Sequence, residues 1–243
     1  MEPNQFRSTS QTSRAGSSID AGLREHFIRV YYTMAAGLLI TGLVAWFSSQ
    51  SEAMVNALIS LHQSPVLGFL IMFSPLIIVM LAFNPATMNR LSSGALTGIF
   101  LAFSAYFGWL LSTIFLIYTT ESIARVFFIT AATFLAMSIW GQTTKKDLSG
   151  LGSFLMMGII GLLIAIVVNW FLQSSMMMFF ISGAGVVIYT LMTAYDTQMI
   201  KQTYNQANGN EANAKLAVMG ALSLYINFIM LFQFLLQFMG GRE

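Results

Sequence analysis

The sequence predicts an all-α integral membrane protein, a bundle of seven transmembrane helices, and three observations carry that prediction. Only 8% of its 243 residues are charged while 56% are hydrophobic, against roughly 25% charged in an ordinary soluble domain. Such a chain cannot cover a globule with polar surface, so its apolar residues must face lipid. Stretches free of charge recur at the length a membrane helix needs, about 20 residues. The basic residues then segregate. With seven spans and a cytoplasmic N-terminus, Arg7, Arg14, Arg24, Arg29, Arg90, Lys145, Lys146, Lys201 and Lys215 share the cytoplasmic side. Only Arg125 and Arg242 fall outside, a nine-to-two bias in the sense of the positive-inside rule. Six or eight spans would lose that agreement in the C-terminal part.

Taken in order, residues 1–20 (MEPNQFRSTSQTSRAGSSID) are polar and rich in Ser, Thr and Gln, which predicts a short disordered tail. No apolar stretch with a small-residue cleavage site follows early enough for a secretion signal, so residues 21–243 are expected to form one seven-helix domain. The first span is 30–51. The polar stretch SLHQSP separates it from the second, 66–83. The third, 91–120, opens with Gly94 and Gly98 at a spacing that favours close helix packing. The fourth is 126–144, and TTKKDLS (143–149) reads as a cytoplasmic turn in which Asp147 or Ser149 caps the next helix. Residues 148–195 suffice for two spans, broken at NWFLQSS (169–175), and 216–241 is the seventh.

Several chemistries drop out. There is no cysteine, which removes disulfides, iron–sulfur clusters, zinc–thiolate sites and thiol nucleophiles. No Gly-rich phosphate loop and no basic–aromatic nucleic-acid patch occurs, and SGLG (149–152) lacks the strand–turn–helix setting that would give it meaning. The 17 methionines, SSMMMFF (174–180) included, suit irregular apolar packing. His26 and His62 do not form a pair with metal-ligand spacing. With no histidine inside a span, a buried serine nucleophile would lack a base. An aspartic protease needs two carboxylates sharing a proton, and span seven supplies none. Neither enzymatic activity nor a cofactor is expected.

One acid stands out. Asp196, in YTLMTAYDTQMI (189–200), closes about twenty residues without a charge. A span begun at Met176 puts it roughly 30 Å along the helix, at the cytoplasmic boundary; a span shifted inward by a turn puts it inside the bundle. Tyr189, Thr193, Tyr195, Tyr225, Gln233 and Gln237 are further candidates to line an interior.

The segments IRVYYTMAAGLLITGLVAWF (28–47), VFFITAATFLAMSIWGQTTKKDLSGLGSFLMMGIIGLLIAIVVNWF (126–171), AYDTQ (194–198) and ALSLYINFIMLFQFLL (221–236) resemble the bacterial branch of the Bax inhibitor-1 (TMBIM) family. The likeness runs from about residue 20 to the end. Its most specific part lies between Gly141 and Gly152. It implies a seven-helix bundle whose C-terminal helix is central, in a bacterial inner membrane, with the N-terminus cytoplasmic and the C-terminus outside. It also implies a passive, pH-sensitive cation leak, calcium being the expected ion, gated by an aspartate pair on spans six and seven with a basic partner near span two. Here the first aspartate is Asp196 and the basic candidate is Arg90, but the second position holds Asn227. An Asp–Asn pair cannot share a proton as two carboxylates do, and it offers calcium one charge where six to eight oxygens are wanted. Asp196 is therefore expected to hold the metal weakly and transiently, with altered gating. The alternative implied function is a non-transporting membrane regulator that binds partners such as a membrane quality-control protease.

Overall fold

Lipid offers no partner to a backbone N–H or C=O, so each apolar run closes its hydrogen bonds internally as a helix. The computed structural model describes the backbone of residues 4–241 and the side chains of 21–61 and 63–241. Seven of its helices are long and apolar enough to cross a membrane. They are α1 (Asn4–Ser49, crossing from Ala21), α3 (Pro65–Ala82), α5 (Ser93–Leu111), α7 (Thr120–Thr143), α8 (Ser149–Leu172), α9 (Ser175–Thr203) and α10 (Gly209–Met239). The short helices α2 (Glu52–Gln63), α4 (Pro85–Arg90) and α6 (Ile114–Ile117) lie in the connections. The seven-helix prediction holds. The backbone of 4–20, where the sequence predicts a disordered tail, is the start of α1; residues 1–3 and the side chains of 1–20, of His62 and of Arg242 lie outside the described residues.

The C-terminal helix is the axis. Its apolar window is 72% buried, while the other spans reach 33% at most. α10 packs on α9, α1, α7 and α5, whereas α8 leans on α9 and α3 on α2 and α5. At the centre Tyr225, fully buried, receives Phe100 edge-on with ring centroids 5.3 Å apart. Thr41 donates its hydroxyl proton to the Ser104 carbonyl (2.9 Å), so the Tyr225 hydroxyl must donate to Thr41 Oγ1, 2.6 Å away. Both ends of α10 are pinned to helix starts. Glu211 accepts from the Ser93 backbone N–H (2.6 Å) and hydroxyl (2.9 Å) at the first turn of α5. At the far end Gly241 N–H donates to Ser122 Oγ (2.8 Å) beside the start of α7.

Connections follow local chemistry. Asp147 Oδ1 accepts from Ser149 N–H (2.9 Å) in a turn just ahead of α8; the N-cap position itself is Leu148, so neither capping candidate occupies it. Hydrogen bonds from the Ser149 hydroxyl and backbone hold the Asp147 carboxyl below the ordinary carboxylate range. A lowered value means this turn bond is complete at neutral pH and is lost as pH falls through it. The break at 169–175 is a tight turn in which Gln173 adopts φ 50° and Asn169 Oδ1 accepts from Ser174 N–H (3.0 Å). A left-handed residue bearing a Cβ is strained by about 1 kcal/mol. Gln173→Gly is therefore expected to stabilise the protein by up to that amount, read as a raised melting temperature in detergent.

Two sequence expectations are corrected. Gly94 and Gly98 are no packing seam: both are exposed, and a Cβ on Gly98 would meet nothing within 4 Å. The close crossings lie elsewhere. A Cβ on Gly108 would fall 2.6 Å from the Thr41 carbonyl oxygen, and one on Gly141 would collide with the Ala194 carbonyl. Span six also does not stop at Tyr195. α9 continues to Thr203, because a helix needs no apolar residues once it emerges from lipid.

Candidate functional site

Asp196 sits on α9 seven residues before its end at Thr203, about 10 Å inside the helix. α9 and α10 run antiparallel, and their register is set by small residues that meet large ones. Gly220 lies against Ile200, and the Phe234 ring lies over Gly185. Midway between these contacts Asn227 Nδ2 donates to Asp196 Oδ2 at 2.7 Å. Asn227 is buried and Asp196 partly so. The aspartate is thus held by the seventh helix. The structure brings two of the three predicted site residues together.

Arg90 is not among them. It is exposed at the end of α4, and among the described residues it makes no ion pair with Asp196. Its neighbourhood is instead fastened to α10 by Lys215, whose Nζ donates to the Met88 carbonyl (3.0 Å).

A directed chain of hydrogen bonds ends beside the pair. Gln142 Nε2 donates to Tyr31 OH (2.7 Å), which frees the phenolic proton for Ser138 Oγ (2.5 Å). Thr197 gives its own proton to the Thr193 carbonyl (2.7 Å), so it accepts from Ser138 (3.1 Å). The chain ties α1, α7 and α9 together one residue from Asp196. On the adjoining turn Gln198 accepts from Leu148 N–H (2.7 Å) and donates to the Lys146 carbonyl (2.9 Å), stitching the α7–α8 connection to α9. The sequence analysis missed Gln198, although it lies in AYDTQ; a lone amide just past an acid carries no periodic signal. Gln198→Leu is expected to leave the buried Leu148 N–H unpaired, costing about 1–3 kcal/mol in thermal unfolding.

Of the other polar candidates, Tyr189, Thr193 and Tyr225 are buried, while Tyr195, Gln233 and Gln237 are partly so. Tyr195 lays its ring against Gly152.

Chemically the pair is a clasp. A carboxylate can only be met by the N–H side of the amide, so the Asn227 oxygen is turned away from Asp196. Among the described residues no three His, Asp or Glu side chains gather where they could hold a metal ion. Two cation-binding oxygens would converge only after Asn227 rotates.

A family profile described as "Inhibitor of apoptosis-promoting Bax1" matches residues 23–243. The chain belongs to the Bax inhibitor family. An uncharacterized protein of Caulobacter vibrioides is 42% identical over 237 residues, covering 95% of this chain and 94% of that one. The inner membrane protein YbhL of Escherichia coli is 40% identical over 225 residues, 92% and 94% of the two chains. Rickettsia prowazekii protein RP147 is 38% identical over 238 residues, 98% of each. The family match begins close to where the sequence resemblance begins, at about residue 20, and like it runs to the end of the chain. In this member the Gly141–Ala194 crossing, the clasp and the end of the hydrogen-bond chain fall on residues 194, 196 and 197 of α9.

Proposed function

We propose that this protein is a passive cation leak, with calcium as the expected ion, in a bacterial inner membrane, its N-terminus cytoplasmic and its C-terminus outside. The observation that carries the reading is the 2.7 Å hydrogen bond between Asn227 and Asp196. It puts an acid between the central helix and a neighbour, where an intramembrane charge is costly and commonly marks an ion path. With the clasp closed, α9 and α10 are joined across the route. Opening separates them and lets Asn227 turn its oxygen inward, so that a passing cation meets one carboxylate and one amide. That set is too poor for tight calcium binding and suits transit. Arg90, exposed on the cytoplasmic side, would serve as a latch only after swinging toward Asp196.

A second reading is favoured by the same bond. An amide-to-carboxylate clasp needs no shared proton, so it can stay shut over the physiological range. The protein would then act as a membrane regulator, binding a partner such as a quality-control protease.

Calcium influx into dye-loaded liposomes separates the two. Asn227→Ala keeps the carboxylate but frees it, and loss of one hydrogen bond to a charged group is worth about 1.5–3 kcal/mol, or roughly ten- to hundredfold faster leak. Asp196→Ala is expected to lose preference for calcium over monovalent ions. No flux from the native protein or either variant at any pH would reject the leak and leave the regulator.

A further inference from the structure

Apart from the clasp, α1, the residue that follows α9 and the first turns of α10 frame an open polar cavity of about 240 Å³ lined by Glu25, His26, Arg29, Tyr204, Asn210 and Asn213. Tyr204, the first residue past α9, forms one wall. Its ring lies 5.3 Å from that of His26, centroid to centroid, and its hydroxyl covers Gly22 so closely that a Cβ there would collide with it. Asn213 donates its Nδ2 to the Asn205 carbonyl (2.9 Å), which fixes which way the amide faces. Two buried polar atoms at the cavity then lack a hydrogen-bond partner among the described residues: Nε2 of His26, a side chain only 5% exposed, and Oδ1 of Asn213. Buried polar groups are seldom left unpaired. At the rim Arg29 and Glu25 stand 3.9 Å apart, the outer limit of an ion pair, so each charge has capacity for another partner.

We propose that this cavity binds a small zwitterion bearing a primary ammonium and a phosphate: ethanolamine phosphate, either free or as a phospholipid headgroup. The lining decides the class. An anion alone would meet Glu25 and leave the Asn213 oxygen without a donor. A cation alone would meet Arg29. A zwitterion places its ammonium N–H groups on Asn213 Oδ1 and Glu25, and its phosphate on Arg29 and the Nε2–H tautomer of His26. A water molecule can bridge the two unpaired atoms, but it does not answer the divided ion pair. The volume, that of roughly eight waters, suits a headgroup and falls below the usual range for larger ligands. The site opens where α1 begins its membrane crossing, within reach of a headgroup. It does not depend on whether the protein conducts ions.

The test is native mass spectrometry of the full-length protein given equal phosphatidylethanolamine and phosphatidylcholine, followed by free ethanolamine phosphate. Choline keeps the charge but has no N–H to donate. The expected result is a single retained ethanolamine lipid favoured about tenfold over the choline lipid, the effect of one lost charge-assisted hydrogen bond. Asn213→Leu and Arg29→Gln should abolish that preference. Arg29 is half exposed, so its variant folds even if the Asn213 variant does not, and melting curves report both. Displacement by free ethanolamine phosphate identifies a soluble ligand, whereas retention of lipid alone identifies the headgroup. Equal retention of both lipids with no binding of ethanolamine phosphate, or a preference unchanged in Arg29→Gln, overturns the proposal and leaves a water-filled cavity.

Discussion

Gly141→Val is expected to prevent α7 from seating against α9. At Gly141 the two helices touch backbone to backbone, and any Cβ would strike the Ala194 carbonyl. A carbonyl inside a helix cannot rotate away as a side-chain tip can. Overpacking a formed interior costs about 1–3 kcal/mol even where side chains can adjust, and the rigid obstacle here puts this substitution at or above the upper end. The variant should melt at a markedly lower temperature in detergent and elute as an aggregated or expanded species. Gly98→Ala is the matched control. Its new methyl meets nothing within 4 Å, and replacing a helical glycine by alanine gains up to about 1 kcal/mol. Equal stability of the two variants would disprove the close crossing.

Asn227→Asp is the second large effect. It places a carboxylate where an amide now donates to Asp196 over 2.7 Å. Two carboxylates at that separation repel unless one proton bridges them, so the helices stay clasped in acid and are pushed apart as the proton leaves. Loss of the bond together with the repulsion should destabilise the variant by about 3 kcal/mol at alkaline pH and restore it on acidification. The native clasp requires no shared proton. Melting temperature followed against pH should therefore fall toward alkaline pH more steeply in Asn227→Asp than in the parent. Parallel curves for the two proteins would mean that these side chains do not meet.

Much of the architecture was legible because the bilayer imposes it. Charge-free runs of fixed length locate the spans, and basic residues gather at alternate connections. Boundaries were less legible for the same reason. Asp196 looked like the end of a span because a charge usually marks the water boundary, yet α9 runs on through Lys201. In the sequence the seventh span reads from residue 216 because 209–215 is polar, yet α10 begins at Gly209, far enough out for Glu211 to reach Ser93. Glycine spacing misled at Gly94 and Gly98, where the motif faces outward. The stretch from Gly141 to Gly152, noticed as a pattern, has a physical basis in its two end residues. Gly141 admits the Ala194 backbone and Gly152 the Tyr195 ring, and those partners immediately precede Asp196. The Asp196–Asn227 pairing could be expected from the resemblance alone, since its members lie 31 residues apart on different helices. Gln198 and Lys215 bond to backbone carbonyls, which no side-chain pattern records.

The burial of α10 has a consequence for biosynthesis. Translation runs from the N-terminus, so the bundle's axis leaves the ribosome after the other six spans. Those six are individually apolar enough to persist there, and side-by-side association is a separate, later stage of membrane-protein assembly. Nascent chains stopped before residue 209 would therefore be inserted yet unassembled, with Phe100, Phe103 and the α7–α9 seam open to neighbouring proteins. Completion of this 31-residue helix converts that loose set into one body, so maturation of this protein should be an abrupt event tied to the emergence of α10.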